Sequence, residues 1–418
     1  MSLATILTVF GLLSLALSQQ IGSKIPEVHP ILTTYKCTKA GGCTAQNTSV
    51  VIDPDWRVVT AVGANGGICK EPAFVGGLNK TFCPDAATCA RNCALEGVNY
   101  TAMGVRTTSN NGQAGSLTLN MYVDDVPVSP RVYLLGADGA DYADLQLVNQ
   151  EIAFDADVSK LPCGMNGALY LSEMDMTGGR GDLNPAGATM GTGYCDAQCP
   201  TNYTWINGIA NLNSTGACCS EMDLWEANSA ATKYTPHTCT KPGLYGCAGD
   251  DCGVEGVCAH TGCGFNTYVQ GHKEFYAPGG TVDTRRPFTV VTQFVSADNS
   301  PGGELVDIRR LYVQDGKVIP NPPAASGKGD SLTATFCGTG TAFASHGGMK
   351  TMGEALARGM VLVFSIWNDA NGFMGWLDGG SNGPCSATDG NPDNIKATTP
   401  DTSVVFSNIK WGDIGTTY

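Results

Sequence analysis

Ser116-Leu-Thr-Leu-Asn-Met-Tyr-Val123 alternates apolar with polar residues, the period of two that a β-strand shows when one of its faces is buried. The same period recurs at 132–135, 151–158, 168–174, 288–295, 310–319, 360–367 and 403–411, so strands are expected along most of the chain. Within 310–319, Gln314-Asp-Gly-Lys317 sets Asp-Gly between apolar arms, a two-residue hairpin signal. Only two segments read as helical: 84–95, which opens on Pro84 and spaces Cys89 and Cys93 one turn apart, and 347–358, closed by Gly359. Neither an internal repeat nor a Ser/Thr/Pro-rich linker divides the sequence. The expectation is one large all-β domain.

Composition narrows the setting. Ile6 to Leu17 is a mostly apolar run, and Ala16 and Ser18 place small residues before Gln19; residues 1–18 therefore read as a secretory signal peptide and 19–418 as the exported domain. No later apolar run is long enough to span a membrane. With 38 acidic against 24 basic residues and a net charge of −14, the surface has little grip on nucleic acid or an anionic membrane and suits a neutral substrate. The 18 cysteines, behind an export signal, are expected as disulfides. A metal site would draw on Cys195, Cys199, Cys218, Cys219 and His237, but the CxxC spacing of structural zinc is absent; neither metal nor cofactor is expected. Cys218 and Cys219 are neighbours, so on a strand they point to opposite faces and need different partners. Sequons at Asn47, Asn79, Asn99, Asn202 and Asn213 are candidate glycosylation sites in an exported chain.

The densest chemistry is Glu221-Met-Asp223-Leu-Trp-Glu226, three acids within six residues. On a regular strand Glu221 and Asp223 share a face while Glu226 points away; one extra residue, a bulge at Leu224-Trp225, brings all three together. Two glutamates would then flank a central aspartate, a spacing compatible with retaining glycoside hydrolysis, which needs two carboxyls about 5–5.5 Å apart. Carboxyls held that close cannot all ionise easily, so one is kept as the acid while another stays ionised. The competing reading is a solvated acidic edge.

Here the chain resembles glycoside hydrolase family 7, the fungal cellulases with a retaining mechanism. The likeness extends beyond Glu221-Met-Asp-Leu-Trp-Glu-Ala-Asn228 to Leu161-Pro-Cys-Gly-Met-Asn-Gly-Ala-Leu-Tyr170, Gly191-Thr-Gly-Tyr-Cys-Asp-Ala-Gln198, Thr235-Pro-His-Thr-Cys239 and Val404-Val-Phe-Ser-Asn-Ile-Lys-Trp-Gly412. The resemblance implies a concanavalin A-like β-jelly roll, two curved antiparallel sheets with the cleft on the concave face. It implies Glu221 as nucleophile, Glu226 as general acid/base and Asp223 as the residue that orients Glu221. It also implies the pairs Cys37–Cys43, Cys69–Cys93, Cys83–Cys89, Cys163–Cys385, Cys195–Cys219, Cys199–Cys218, Cys239–Cys258, Cys247–Cys252 and Cys263–Cys337.

For the cleft, the resemblance assigns Trp56, Trp367 and Trp376 as platforms under sugar rings and leaves Trp205, Trp225 and Trp411 to the core. It gives Asn166, Tyr170, Tyr194, Asp196 and Gln198 to the sugar on the glycone side, His237 to the neighbourhood of the acid/base, and Arg131 to a more distant unit. Exo-acting relatives roof the cleft and hold product with two arginines. Here Val58 replaces a tunnel-entrance tryptophan, Val269 stands at one arginine position, and only Gly379 to Pro384 separate Asp378 from Cys385. The implied activity is internal cleavage of β-1,4-glucan chains by a secreted monomer, with no nucleic-acid or membrane partner. Rivals are a processive cellobiohydrolase, a lectin of the same fold, and a transglycosylase sharing the covalent intermediate.

Overall fold

The alternating segments bury their apolar faces by stacking into two curved sheets. The computed structural model describes residues 20–63, 66–70, 77–110, 113–254 and 256–418; the leader read at 1–18 lies outside them. One sheet has seven strands in the order Phe265–Asn266, Thr232–His237, Glu221–Ala227, Met165–Ser172, Val361–Asn368, Arg131–Leu135 and Ser49–Ile52. The other has ten, running Lys317–Pro320, Leu305–Gln314, Phe288–Ser296, Gln150–Asp157, Ser403–Asp413, Thr34–Thr38 and Gly42–Gln46. Gln113–Asn120 joins that sheet through Ser403–Asp413 and is itself paired with Val105–Asn110, while Leu332–Thr333 pairs with Leu305–Gln314. Nearly all pairings in both sheets are antiparallel, as expected for a jelly roll; Thr34–Thr38 departs by running parallel to Ser403–Asp413.

Between the sheets lies the main core. Leu169, Met222, Leu224, Phe364 and Ile366 from one side meet Ile152, Phe154, Val290, Phe294 and Phe406 from the other, all fully buried. Trp225 is also fully buried, ringed by Phe154, Tyr276 and Phe288 at centroid distances of 6.2, 5.6 and 5.7 Å. The opposite face of the seven-stranded sheet carries a second apolar cluster, with Tyr133, Tyr170 and Val363 under Ala188 and Tyr194. That cluster covers part of the face, and the remainder forms the floor of a cleft.

Local chemistry explains most boundaries. Asp315 and Gly316 both have positive φ (53° and 73°), the turn expected from Asp-Gly between Leu305–Gln314 and Lys317–Pro320. The strand expected at 116–123 ends at Asn120, and Tyr122–Val123 turns away through Asp124 and Asp125, both at positive φ, to pair with Val126–Pro127. The helix expected over 84–95 is shorter, Ala86–Asn92: Asp85 caps it by accepting from the Thr88 N–H (2.8 Å). Cys93–Leu95 instead pairs as a strand with Val59–Ala61. The second helix runs over Gly348–Arg358. Pro392–Thr398 is a further helix that the periodicity reading passed over, although Asn391 and Pro392 carry its start signal.

Nine disulfides cross-link the described residues, in the pairs Cys37–Cys43, Cys69–Cys93, Cys83–Cys89, Cys163–Cys385, Cys195–Cys219, Cys199–Cys218, Cys239–Cys258, Cys247–Cys252 and Cys263–Cys337. These are the pairs that the family resemblance implies. They take up every sulfur that a metal site at Cys195, Cys199, Cys218 and Cys219 would need. No described helix is long and apolar enough to cross a membrane.

Candidate active site

The register around Glu221–Ala227 shows how a strand presents three acids on one side. Against Met165–Ser172, Asp223 pairs with Tyr170 while Trp225 pairs with Leu169, leaving Leu224 unmatched; against Thr232–His237 the register shifts over the same residues. This is the bulge that the spacing demands. Leu224 and Trp225 both face the core, and Glu221, Asp223 and Glu226 all line a cleft of about 1120 Å³. The strand is held just upstream by the two bridges at Cys218 and Cys219.

The acids are buried to less than a tenth exposure at Glu221 and Asp223. The backbone N–H of Ala197 donates to Glu221 Oε2 at 3.1 Å. Asp223 contacts Glu221 on one side and His237 Nε2 on the other, at 3.1 Å. His237 Nδ1 lies 3.0 Å from the carbonyl of Ala259, so that nitrogen carries a proton and the Nε2–Asp223 contact holds another between ring and carboxyl. Asn166 donates from Nδ2 to Glu226 Oε1 (3.0 Å) and accepts the Ala227 N–H (3.1 Å). Burial raises all three carboxyls above their ordinary values. Asp223 and Asp196 push Glu221 further, Glu226 pushes Asp223 further, and Lys233 works against the rise at both Asp223 and Glu226. Asp196, also raised by burial, accepts the Tyr194 hydroxyl (2.8 Å), which in turn shares a 2.8 Å hydrogen bond with Tyr170.

The predicted site residues fall around this floor with two adjustments. Trp56, Arg131, Tyr170, Tyr194, Asp196, Gln198, His237, Trp367 and Trp376 all line the cleft. Asn166 has no exposed surface; it steadies the Glu226 carboxyl from behind instead of offering itself to a sugar. His237 sits opposite Glu221 and bonds Asp223, so its direct partner is the central aspartate, not the acid/base. Trp367 and Trp376 stack at 6.1 Å and 25°, and Trp376 is 37% exposed. Trp56 is mostly buried and donates its indole N–H to the Val128 carbonyl (2.6 Å). Arg131 lies 3.5 Å from the Tyr194 ring centroid, pairs with Asp53 at 2.7 Å and donates to the Tyr203 hydroxyl (2.6 Å). Trp205, Trp225 and Trp411 are buried.

Three features escaped the sequence reading. The Ala197 N–H is a backbone group and carries no side-chain signal. Lys233 stands directly across the strand pair from Glu226, a register visible only once the bulge is placed. Arg310, 1% exposed, reaches from the ten-stranded sheet to donate to the carbonyl of Leu224, the bulge residue, and also to Thr292 Oγ1 (3.2 Å). Its guanidinium lies over the rings of Tyr234 and Tyr312 at 4.3 and 5.8 Å.

Two facing sheets with carboxyls set across an aromatic-lined cleft, and Glu226 held by Asn166 while Glu221 meets a backbone N–H, define a glycoside hydrolase. The sequence model described as glycosyl hydrolase family 7 matches residues 21–418, and the chain belongs to that family. It is 52% identical to the endo-beta-1,4-glucanase celB of Aspergillus oryzae over 99% of both chains. Among solved structures it resembles the Humicola insolens endocellulase EGI (TM-score 0.88, 44% identity, 96% of this chain and 100% of that one). It also resembles a Daphnia pulex family 7 cellobiohydrolase (TM-score 0.87, 35% identity, 96% and 100%).

Proposed function

We propose that this chain is a secreted endo-1,4-β-glucanase, its signal peptide at 1–18 and one catalytic domain over 19–418, acting as a monomer on internal bonds of cellulose and related β-glucans. The observation that carries the chemistry is the bulge at Leu224, which turns Glu226 to the same side as Glu221 and Asp223. Glu226 protonates the glycosidic oxygen while Glu221 attacks the anomeric carbon; Glu226 then takes a proton from water as the covalent glycosyl-enzyme is released with retained configuration. Asp223, shared between Glu221 and His237, takes the proton that crowding forces on the cluster, which leaves Glu221 ionised for attack and keeps it oriented. Tyr170, Tyr194, Asp196 and Gln198 face the sugar being cleaved, with Trp56, Trp367 and Trp376 as platforms and Arg131 toward a more distant unit.

Endo action is supported by the relatives' names and by the short run between Asp378 and Cys385, whose ends are joined by the Gly379–Cys385 bridge. Val269 is 47% exposed where exo-acting relatives place a charged product contact. All five sequon asparagines are exposed, which suits glycosylation at Asn47, Asn79, Asn99, Asn202 and Asn213. The test follows viscosity and new reducing ends together in carboxymethyl-cellulose. A steep fall in viscosity for few new ends is expected; ends accumulating at nearly constant viscosity would mean exo action and overturn the reading.

A further inference from the structure

The cleft floor is acidic, built on Glu221, Asp223, Glu226 and Asp196, and the whole chain carries a net charge of −14. Of the cations that line the cleft, Arg131 is paired with Asp53 and Lys70 with Asp55, whereas Lys233 is placed differently. It lies on Thr232–His237, directly opposite Glu226, and is half-buried in the cleft wall. Its ammonium sits 5.7 Å from the ring centroid of Trp376, the more exposed member of the Trp367–Trp376 stack. Among the described residues no carboxylate forms an ion pair with it. The absence of a side chain at Gly264 makes room for its stem: a Cβ there would come within 2.2 Å of Lys233 Cε. The position therefore holds a cation beside a sugar-stacking platform, its charge met by a ring face and by the fields of Asp223 and Glu226 but by no direct ion pair among the described residues.

We propose that Lys233 and Trp376 form a binding position, beyond Glu226 on the leaving-group side, for a β-1,4-linked sugar unit that carries a carboxylate. The inference rests on the glucanase reading of the cleft and deepens it by naming a substrate class. Trp376 takes the apolar C–H face of the unit, whether a closed ring or the open chain of an aldonate, and the Lys233 ammonium takes the anionic group. A neutral unit still stacks there and forgoes the ion pair. Lys233 also acts on the acid/base through its field, so a change in rate alone does not isolate the binding role. A ratio between anionic and neutral ligands does, when it is taken at a pH low enough that Glu226 holds its proton in every variant.

The decisive measurement is calorimetric binding of cellotetraonate, a cello-oligosaccharide oxidised to a carboxylate at its reducing end, against neutral cellotetraose. The host is the full chain carrying Glu221→Gln, which needs no turnover. Adding Lys233→Gln should lower the affinity ratio, anionic over neutral, by about fivefold, the upper range for a pair that is not fully buried. Lys233→Arg should restore it, and added salt should bring the ratio of the host down toward that of its Lys233→Gln derivative, since partly exposed pairs are screened. The second arm compares kcat/KM on carboxymethyl-cellulose and hydroxyethyl-cellulose in the otherwise native chain. A Lys233→Gln drop in that ratio, with the cellotetraonate ratio unchanged, places the recognised carboxylate on a side group of the chain; the reverse places it at an oxidised end. Both ratios unchanged in Lys233→Gln overturn the proposal, whatever happens to absolute rates. Failure of the native chain to cut either polymer would instead overturn the glucanase reading, and the binding ratio would still decide the role of Lys233.

Discussion

The strand Glu221–Ala227 has buried charge on both of its sides, and the two sides treat it oppositely. Toward the cleft, three carboxyls crowd together and burial raises each of them; their compensation is one backbone N–H, one amide, one imidazole and one lysine. Toward the core, a single guanidinium, Arg310, is met by a carbonyl, a hydroxyl and two ring faces, with no carboxylate paired to it among the described residues. The core side meets its charge with dipoles and ring faces and leaves two of the three guanidinium nitrogens, Nε and Nη1, without a hydrogen-bond partner among the described residues. The cleft side is left short of cations, so that protons remain in the cluster at working pH. A catalytic acid needs that shortage, whereas a guanidinium keeps its proton however sparsely it is met.

The largest break in this contrast comes from Glu221→Gln, which removes the proposed nucleophile and should lower kcat by roughly 10⁴-fold or more, read as reducing ends released from β-glucan. A loss under about tenfold would move the nucleophile elsewhere. Glu226→Gln should cost about 10²–10⁴-fold on natural substrate, with far less loss on an aryl cellobioside whose leaving group needs no proton. The same substitution should erase the alkaline limb of the pH–rate profile. In the native chain both limbs belong to the coupled cluster of Glu221, Asp223 and Glu226, and because burial raises all three carboxyls the alkaline limb should lie above the range of an ordinary glutamic acid. The core side is sharpened by Arg310→Met. It leaves the Leu224 carbonyl without its donor, an expected cost of about 1–3 kcal/mol in denaturant unfolding, with kcat falling less than in either glutamate variant. Unchanged stability would mean that the bulge holds itself.

Much of this was legible in advance because it rests on short-range patterning. Alternation located the strands, Asp315-Gly316 located a hairpin, and the count of residues between Glu221 and Glu226 required a bulge where one is found. What stayed illegible depends on partners distant in sequence. The parallel seat of Thr34–Thr38, the bond of His237 to Asp223, and the withdrawal of Asn166 behind Glu226 are fixed by register and packing. Arg310 reads in sequence as one of two adjacent arginines on an alternating strand; that it is the one facing the core follows from which side of Leu305–Gln314 the other sheet covers. Site residues were easier to place than their immediate partners because the family resemblance named positions and left contacts unsaid.

Ser403–Asp413 occupies an interior place in the ten-stranded sheet, bonded to Gln150–Asp157 on one side and to Thr34–Thr38 and Gln113–Asn120 on the other. During synthesis the ribosome adds roughly 250 residues between Gln150–Asp157 and this strand, which takes tens of seconds at about 5–20 residues per second. Through that interval the emerging chain presents unpaired strand edges and an open apolar seam. Cysteines meant for distant partners, Cys163 with Cys385 above all, are meanwhile free to pair with nearer ones. The yield of this enzyme from a producing cell should therefore follow the chaperone and disulfide-isomerase capacity available to the folding chain more closely than the stability of the finished fold.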